Sequence, residues 1–437
     1  MIDAELNNCI GEVCEDYCQY KSKILSLICA IDDRINLQLN QIIEHPKFKA
    51  LEASWLGLFD FICHAHGVRN LKVRLLNYNW NSISKDLNGF SDIKNSYLYD
   101  VIGRKEVEVL GGEPFGVVLI DHYLRETLDY DYDDFYTASL LSDLGNLCQC
   151  PILIGLTPNF FNNVTGEEFA DLEKLDRILE GDEFISWRNL RNHRNAQYLA
   201  LLWPSFLLRE RYEDMPIKGT TFHQRACDSQ GLYGHLGYLF LRSIVNEYKN
   251  LAWFGFLKLI GNVSDRGAIL SKTKNFRERG YYRLTVSQGE FFSEKGIIPI
   301  CESTKSGELY FYGNRSTLDC GTSTELKIIS QIQTILIVCR VVNYVRVQAR
   351  NLIGSLKTAD ECELHLNNWI DNYCAPVSEA GAEMLAKYPL RRARVKLFKK
   401  SSDANSYHCE VTIQPQYQID YIHGEIKIAA NLEARGR

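Results

Sequence analysis

The chain has 437 residues, of which 46% are hydrophobic and 24% charged, and its formal net charge is -6. That length points to two or three domains around separate cores, and the composition is that of a globular protein rather than a disordered or fibrous one. The acidic balance gives no general duplex-binding signal, so no nucleic-acid partner is expected.

The N-terminal residues Met1 to Glu5 lack the basic and apolar regions of a secretory signal. The most apolar runs, Leu251 to Leu257 and Thr334 to Cys339, reach a Lys or Arg well before the length of a membrane span. Buried helices are expected there, with no direct membrane insertion and a cytoplasmic location. The 14 cysteines are scattered without a CxxC pair, and they read as reduced thiols acting as small core hydrophobes.

In chain order, residues 2–43 read as one or two amphipathic helices, with Ile2, Leu6, Cys9, Val13 and Tyr17 at four-three-four-four spacing. We expect residues 1–43 to be a helical segment that binds a partner. His45-Pro46 breaks the pattern, and Pro46 suits the first turn of the next helix. Phe48, Leu51, Trp55, Leu58, Phe59 and Ile62 then form one apolar face, and a stripe containing a Trp reads first as core. A strand is expected from Leu71, followed by a polar helix with a cap at Ser91-Asp92-Ile93. Phe115 to Asp121, entered by Pro114, is a buried strand.

The four aspartates between Asp129 and Asp134 lack the Gly and Glu of a calcium loop. Asp133 and Asp134 are better placed to cap a helix carrying Leu140, Leu141, Leu144, Leu147 and Cys148, which stops at Pro151. Ile152 to Leu156 follows as a second buried strand, so residues 44–285 read as a middle α/β domain. Within it, Asp182 to Tyr198 is expected to be helical, Leu232 to Phe256 to form core helices, and Gly261 to Gly280 to be an exposed loop.

Residues 286–437 form a third, C-terminal part. Leu326 to Arg350 reads as one long helix with Ile328, Ile332, Ile335, Cys339 and Val342 inward, so Arg340, Arg346 and Arg350 need buried or interfacial partners. The last fifty residues alternate as strands: Val395 and Leu397; Tyr407, Cys409, Val411 and Ile413; then Ile422, Ile426 and Ile428, with a turn at Ser401 to Asn405. A terminal strand of this kind either pairs in its own sheet or adds to a neighbouring subunit's edge, and the sequence leaves both open.

No catalytic constellation emerges. His223 and Cys227, at i and i+4 on a helix, would be the pair for a cytosolic thiol-dependent hydrolase, the alternative reading. Cys63-His64-Ala65-His66 is too compact for three metal ligands, and neither Gly181 to Phe184 nor Gly111 to Gly116 has a nucleotide-binding context. We therefore expect no cofactor, no metal and no enzyme.

The run Phe48 to Leu58, with Leu51, Glu52 and Trp55, resembles the "LE-x-x-W-x-GL" helix of the large contractile-sheath subunit of type VI secretion systems, the TssC/VipB family. Glu113-Pro114-Phe115-Gly116 is similar to its "E-P-F-G" segment, and Cys150 to Gly155 to its "a-P-f-i-a-a" strand. Trp187 to Arg191 and Ala200 to Arg209, with Pro204, resemble "W-x-x-L-R" and "a-L-x-x-P-r-f-L-l-R". Glu290 to Pro299, Arg340 to Arg346 with Tyr344, Trp369 to Tyr373, Pro389-Leu390 and Pro415 to Gln418 with Tyr417 match further blocks, with Asn343 and Gln416 standing where the family has His.

The resemblance implies a mixed α/β, multidomain contractile-sheath subunit whose terminal strands suit augmentation between subunits. The partners it implies are a small TssB/VipA-like subunit, further copies of the chain in a helical sheath, an Hcp-like inner tube and a baseplate. A ClpV-type disassembly ATPase is left open, because the region before the signature helix is short.

Overall fold

A computed structural model describes residues 17–109, 111–125, 132–161, 171–213, 215–217, 220–224, 231–254, 269–270, 280–302, 309–352, 359–375, 388–399, 406–415 and 426–433. It begins with helices α1 (Tyr17–Ile43), α2 (Pro46–Ala65) and α3 (Trp80–Asn88), then short helical turns over residues 93–108. Strand β1 (Val118–Leu124), helix α4 (Asp134–Cys148), β2 (Ile152–Leu156), α5 (Leu172–Glu180), α6 (Ile185–Arg191) and β3 (Leu199–Trp203) follow. Next are β4 (Phe206–Glu210), β5 (Met215–Ile217), β6 (Thr220–Phe222), β7 (Gly231–Gly234), α7 (Gly237–Leu251) and β8 (Ile269–Leu270). The chain continues through α8 (Val286–Glu294), β9 (Ile297–Glu302), β10 (Leu309–Phe311), α9 (Thr324–Ile329), α10 (Ile332–Leu352) and α11 (Ala359–Asp371). It closes with β11 (Leu390–Lys399), β12 (Ser406–Pro415) and β13 (Ile426–Glu433).

The chain divides into two compact units, residues 1–57 with 207–234, and residues 58–206 with 235–437. In the smaller unit, β5 and β6 form an antiparallel hairpin and β4 pairs with β7. Helix α1 is attached there by polar groups. Asn36 donates to the Thr221 carbonyl at 3.0 Å, Asn40 donates to the His223 carbonyl at 3.0 Å, and the His223 amide donates to Asn36 Oδ1 at 3.1 Å.

The larger unit is built on a mixed six-stranded sheet in the order β1-β2-β3-β9-β10-β8. The first four strands are parallel, β10 runs antiparallel to β9, and β8 runs antiparallel to β10. Strands β2 and β3 are buried on both faces, which explains why Ile152–Leu156 and Leu199–Trp203 are unbroken apolar runs rather than alternating ones. Their core is aromatic, with Phe160, Phe161, Phe184, Trp187, Trp203 and Phe292 in successive edge or tilted contacts. Asp133 caps α4 by accepting from the Phe135 amide at 2.9 Å, as its position before the apolar run requires.

In the same unit β11, β12 and β13 form an antiparallel sheet. Val395, Val411 and Ile413 of this sheet share a core with Val338 and Val342 of α10 and Leu366 and Ile370 of α11. The alternation in the sequence is therefore that of a one-face-buried sheet. Ile426 and Ile428 pair with Ile413 and Val411 inside the chain's own sheet. Ile422, Tyr417 and Gln418 lie outside the described residues.

Four expectations need correction. The long helix over Leu326 to Arg350 is two helices, α9 and α10, because Ser330 and Gln331 are held by the preceding loop. The Ser316 amide donates to the Ser330 carbonyl at 2.6 Å, and the Ile332 amide donates to the Asn314 carbonyl at 2.8 Å. The expected helix over Asp182 to Tyr198 is broken into a turn, the short α6 and a second turn. The strand expected from Leu71 joins no sheet among the described residues. The apolar stripe of α2 is not core, and its exposure is taken up below.

Two of the α10 polar residues cap α4. That helix ends at Cys148, and Gln149 takes a left-handed conformation, φ 49°. The carbonyls there would otherwise be open. Asn343 donates to the Gln149 carbonyl at 3.0 Å and Arg346 donates to the Leu147 carbonyl at 3.3 Å. The Arg350 side chain lies outside the described residues.

Candidate functional site

The residues of the sequence motifs separate into internal clasps and outward faces. Glu52 of α2 and Arg209 of β4, 157 positions apart, form a two-pronged ion pair: Arg209 Nε donates to Glu52 Oε1 at 2.6 Å and Nη2 donates to Oε2 at 2.9 Å. The Arg209 guanidinium also lies over the Tyr212 ring, 4.1 Å from its centroid, and donates to Gln224 Oε1 at 3.1 Å. Gln224 in turn donates to Glu44 at 2.6 Å. Burial alone would raise the Glu44 carboxyl, but bonds from Lys49 and Gln224 outweigh it and hold the group below its usual range.

A second clasp joins Trp187 and Arg191. The Arg191 guanidinium lies 5.0 Å from the Trp187 ring, donates to the Glu294 carbonyl at 3.2 Å and pairs with Asp319 at 3.4 Å. A third is an aromatic cage around Arg340, formed by Tyr248, Trp253, Phe254 and Tyr344 with centroids 4.6 to 5.6 Å away. Arg340 Nε donates to the Tyr344 hydroxyl at 3.0 Å and Nη1 donates to the Ala252 carbonyl at 2.9 Å. Pro204 follows a cis peptide after Trp203, and Pro415 ends β12. Pro114 directly follows Glu113, which pairs with Lys72.

The outward residues are the large apolar ones. On α2, Leu51 is 57% exposed and Trp55 60% exposed, with Phe48, Phe59 and Ile62 on the same side. Beside this stripe, Glu52 pairs with Arg209 within the smaller unit and Asp60 pairs with Arg242 within the larger one. On α1 the sequence reading missed a longer stripe, Tyr20, Ile24, Ile28, Ile31, Ile35 and Ile42, all exposed. The signal was present, since the four-three spacing noted up to Tyr17 continues through it.

Two family models cover most of the chain. One, EvpB/VC_A0108, tail sheath N-terminal domain, matches residues 26–318. The other, EvpB/VC_A0108, tail sheath gpW/gp25-like domain, matches residues 322–432. The chain belongs to the VipB/EvpB tail-sheath family. This is a family of structural sheath proteins, and within it the chain is 22% identical over 430 residues to the type VI secretion system sheath protein TssC1 of Pseudomonas aeruginosa, covering 94% of this chain and 86% of the relative. Among solved structures, the VipB/EvpB chain is similar to a sheath tail protein of Desulfitobacterium hafniense (10% identity, TM-score 0.30, 69% of this chain and 62% of that one). It is also similar to a chain of the anti-feeding prophage baseplate (11%, 0.33, 61% and 56%). The chain thus spans less than two thirds of the length of those structural relatives.

The hydrolase alternative finds no support in this tail-sheath membership. His223 is not on a helix, and its backbone is committed to Asn36 and Asn40; Cys227 lies outside the described residues. Buried thiols elsewhere are pushed away from reactivity, Cys148, Cys301 and Cys409 each up to about 12 by burial. Among the described residues no group of three His, Cys, Asp or Glu could hold a metal, and no helix is long and apolar enough to cross a membrane.

Proposed function

We propose that this chain is the large structural subunit of a type VI secretion contractile sheath. In this reading it pairs with a small TssB/VipA-like subunit and polymerises in the cytoplasm, with a baseplate at one end, around an Hcp-like tube. The observation that carries it is the tail-sheath match over residues 26–318 and 322–432, combined with apolar stripes on α1 and α2 that face outward. An apolar face of this extent on a folded chain marks an association surface. Residues 1–43 act as the partner-binding segment, 44–285 as the middle sheath domain and 286–437 as the inner domain. A ClpV-type ATPase is a further partner that this reading admits.

Contraction in such a lattice is a change between two packings of the same bricks, so the chain needs no nucleotide site of its own. Co-expression with the small subunit, followed by electron microscopy, tests the reading. Tubules are expected, and their loss on deleting residues 418–437, which include β13, is expected too. A monodisperse monomer that forms no tubules with the small subunit overturns it.

A further inference from the structure

The cap that α10 sets on α4 leaves two polar atoms over. Asn343, 5% exposed, donates Nδ2 to the Gln149 carbonyl at 3.0 Å, and Arg346 donates Nη1 to the Leu147 carbonyl at 3.3 Å. Asn343 Oδ1 and Arg346 Nε are both buried, and neither has a hydrogen-bond partner among the described residues. A buried polar atom left unpaired carries its full desolvation cost, so two at one place call for a shared partner.

The two atoms belong together. Residues three apart on a helix lie on one face, and these two side chains end on carbonyls two positions apart at a single helix terminus. Their roles are opposite and fixed. The Gln149 carbonyl can only accept, so the carboxamide turns its nitrogen to it and its oxygen away, while a guanidinium Nε can only donate. Whatever joins them must accept one hydrogen bond and donate another. An anion has no proton for Asn343 Oδ1 and meets the negative end of α4. A cation cannot accept from Nε and meets the guanidinium charge. Water does both, and the hydroxyls of Tyr99 and Tyr198 and the thiols of Cys148 and Cys339 around the guanidinium offer it further partners.

We infer that α4 and α10 enclose a binding site for one ordered water, which accepts from Arg346 Nε and donates to Asn343 Oδ1. The inference goes beyond the sheath reading and stands without it. It also gives the Asn at position 343, where the family motif has His, a physical meaning. A neutral imidazole there would donate to the Gln149 carbonyl from one ring nitrogen and accept from Arg346 Nε at the other. One side chain would then fill the roles that the carboxamide and the water share in this chain.

A crystal structure of the full-length chain that shows ordered solvent tests this. The wild type is expected to show one peak within hydrogen-bond distance of both atoms, with no anomalous signal after a bromide soak. Asn343→His is expected to lose the peak while its unfolding constant from urea titration stays within about threefold of wild type. Asn343→Leu leaves Arg346 Nε and the Gln149 carbonyl unpaired, and its unfolding constant is expected to rise at least about tenfold.

A wild-type map that shows other internal waters and none here overturns the site, and so does bromide bound in its place. A peak that persists in Asn343→His, or a His variant no more stable than Asn343→Leu, overturns the assignment of the two roles.

Discussion

Replacing Glu52 should destabilise the smaller unit by about 3 kcal/mol, because it leaves a nearly buried cation behind. The Arg209 side chain is 9% exposed and the Glu52 side chain 16%, so the pair is little screened by solvent. Removing one member of a buried pair costs about 3 to 5 kcal/mol. The lower figure applies here, since Arg209 keeps its bonds to Gln224 and the Glu210 carbonyl and its stacking on Tyr212. The perturbation is a double-mutant cycle of Glu52→Leu, Arg209→Met and the pair together. The double variant removes both charges and is expected to cost less than the two single costs summed, by about 2 to 3 kcal/mol. Urea titration read by pulse proteolysis of the full-length chain measures each corner, and 0.5 M salt should change the coupling little. A coupling below about 0.5 kcal/mol, the range of exposed surface pairs, would refute the clasp.

Leu51→Ala and Trp55→Ala should each shift the stability of the chain by no more than about 0.5 kcal/mol, because both side chains face outward, yet they should weaken assembly in a tubule-yield assay. A stability loss of 2 kcal/mol or more would place them in a core after all. Under native conditions near neutral pH, a thiol reagent should label the exposed Cys29 and Cys63 and spare Cys148, Cys150, Cys301, Cys339 and Cys409 until the chain unfolds; mass spectrometry of the labelled peptides decides. Burial alone would raise the Asp134 carboxyl, but bonds from His122, Trp80 and the Arg125 amide win and hold it below its usual value. The stability it contributes is therefore present above the ordinary aspartate pKa of about 4 and is lost as pH falls through the lower folded value. Asp134→Asn should accordingly cost stability at pH 7, with the difference from wild type shrinking below about pH 4 in acid titration.

Local signals translated into structure where the deciding contacts are close in sequence. Pro46 opens α2, Asp133 caps α4, and the Ile152–Leu156 run is a strand buried on both faces, each from physics contained within a few residues. The breaks in the long C-terminal helix were invisible because residues 314–316, distant from any helical period, bind the backbone at Ser330 and Ile332. The α2 face shows the opposite difficulty. Periodicity finds an apolar stripe but not whether a core covers it, and the ion pairs that tie down Glu52 and Asp60 of the same helix are made with cations far along the chain. Likewise the motif residues Arg209 and Tyr344 were identifiable only as isolated letters. Their partners, Glu52 for one and the Arg340 cage for the other, appear once the chain is folded.

The capping of α4 by Asn343 and Arg346 bears on how sheath genes could be recombined. The two family segments meet near residue 320, an inviting place to splice one sheath protein onto another. Yet the donors that finish the C-terminal end of α4 come from beyond that seam. A hybrid joined there would inherit a helix from one parent and its stopper from the other. Swaps that carry α4 and α10 from the same parent should fold; those that divide them should not.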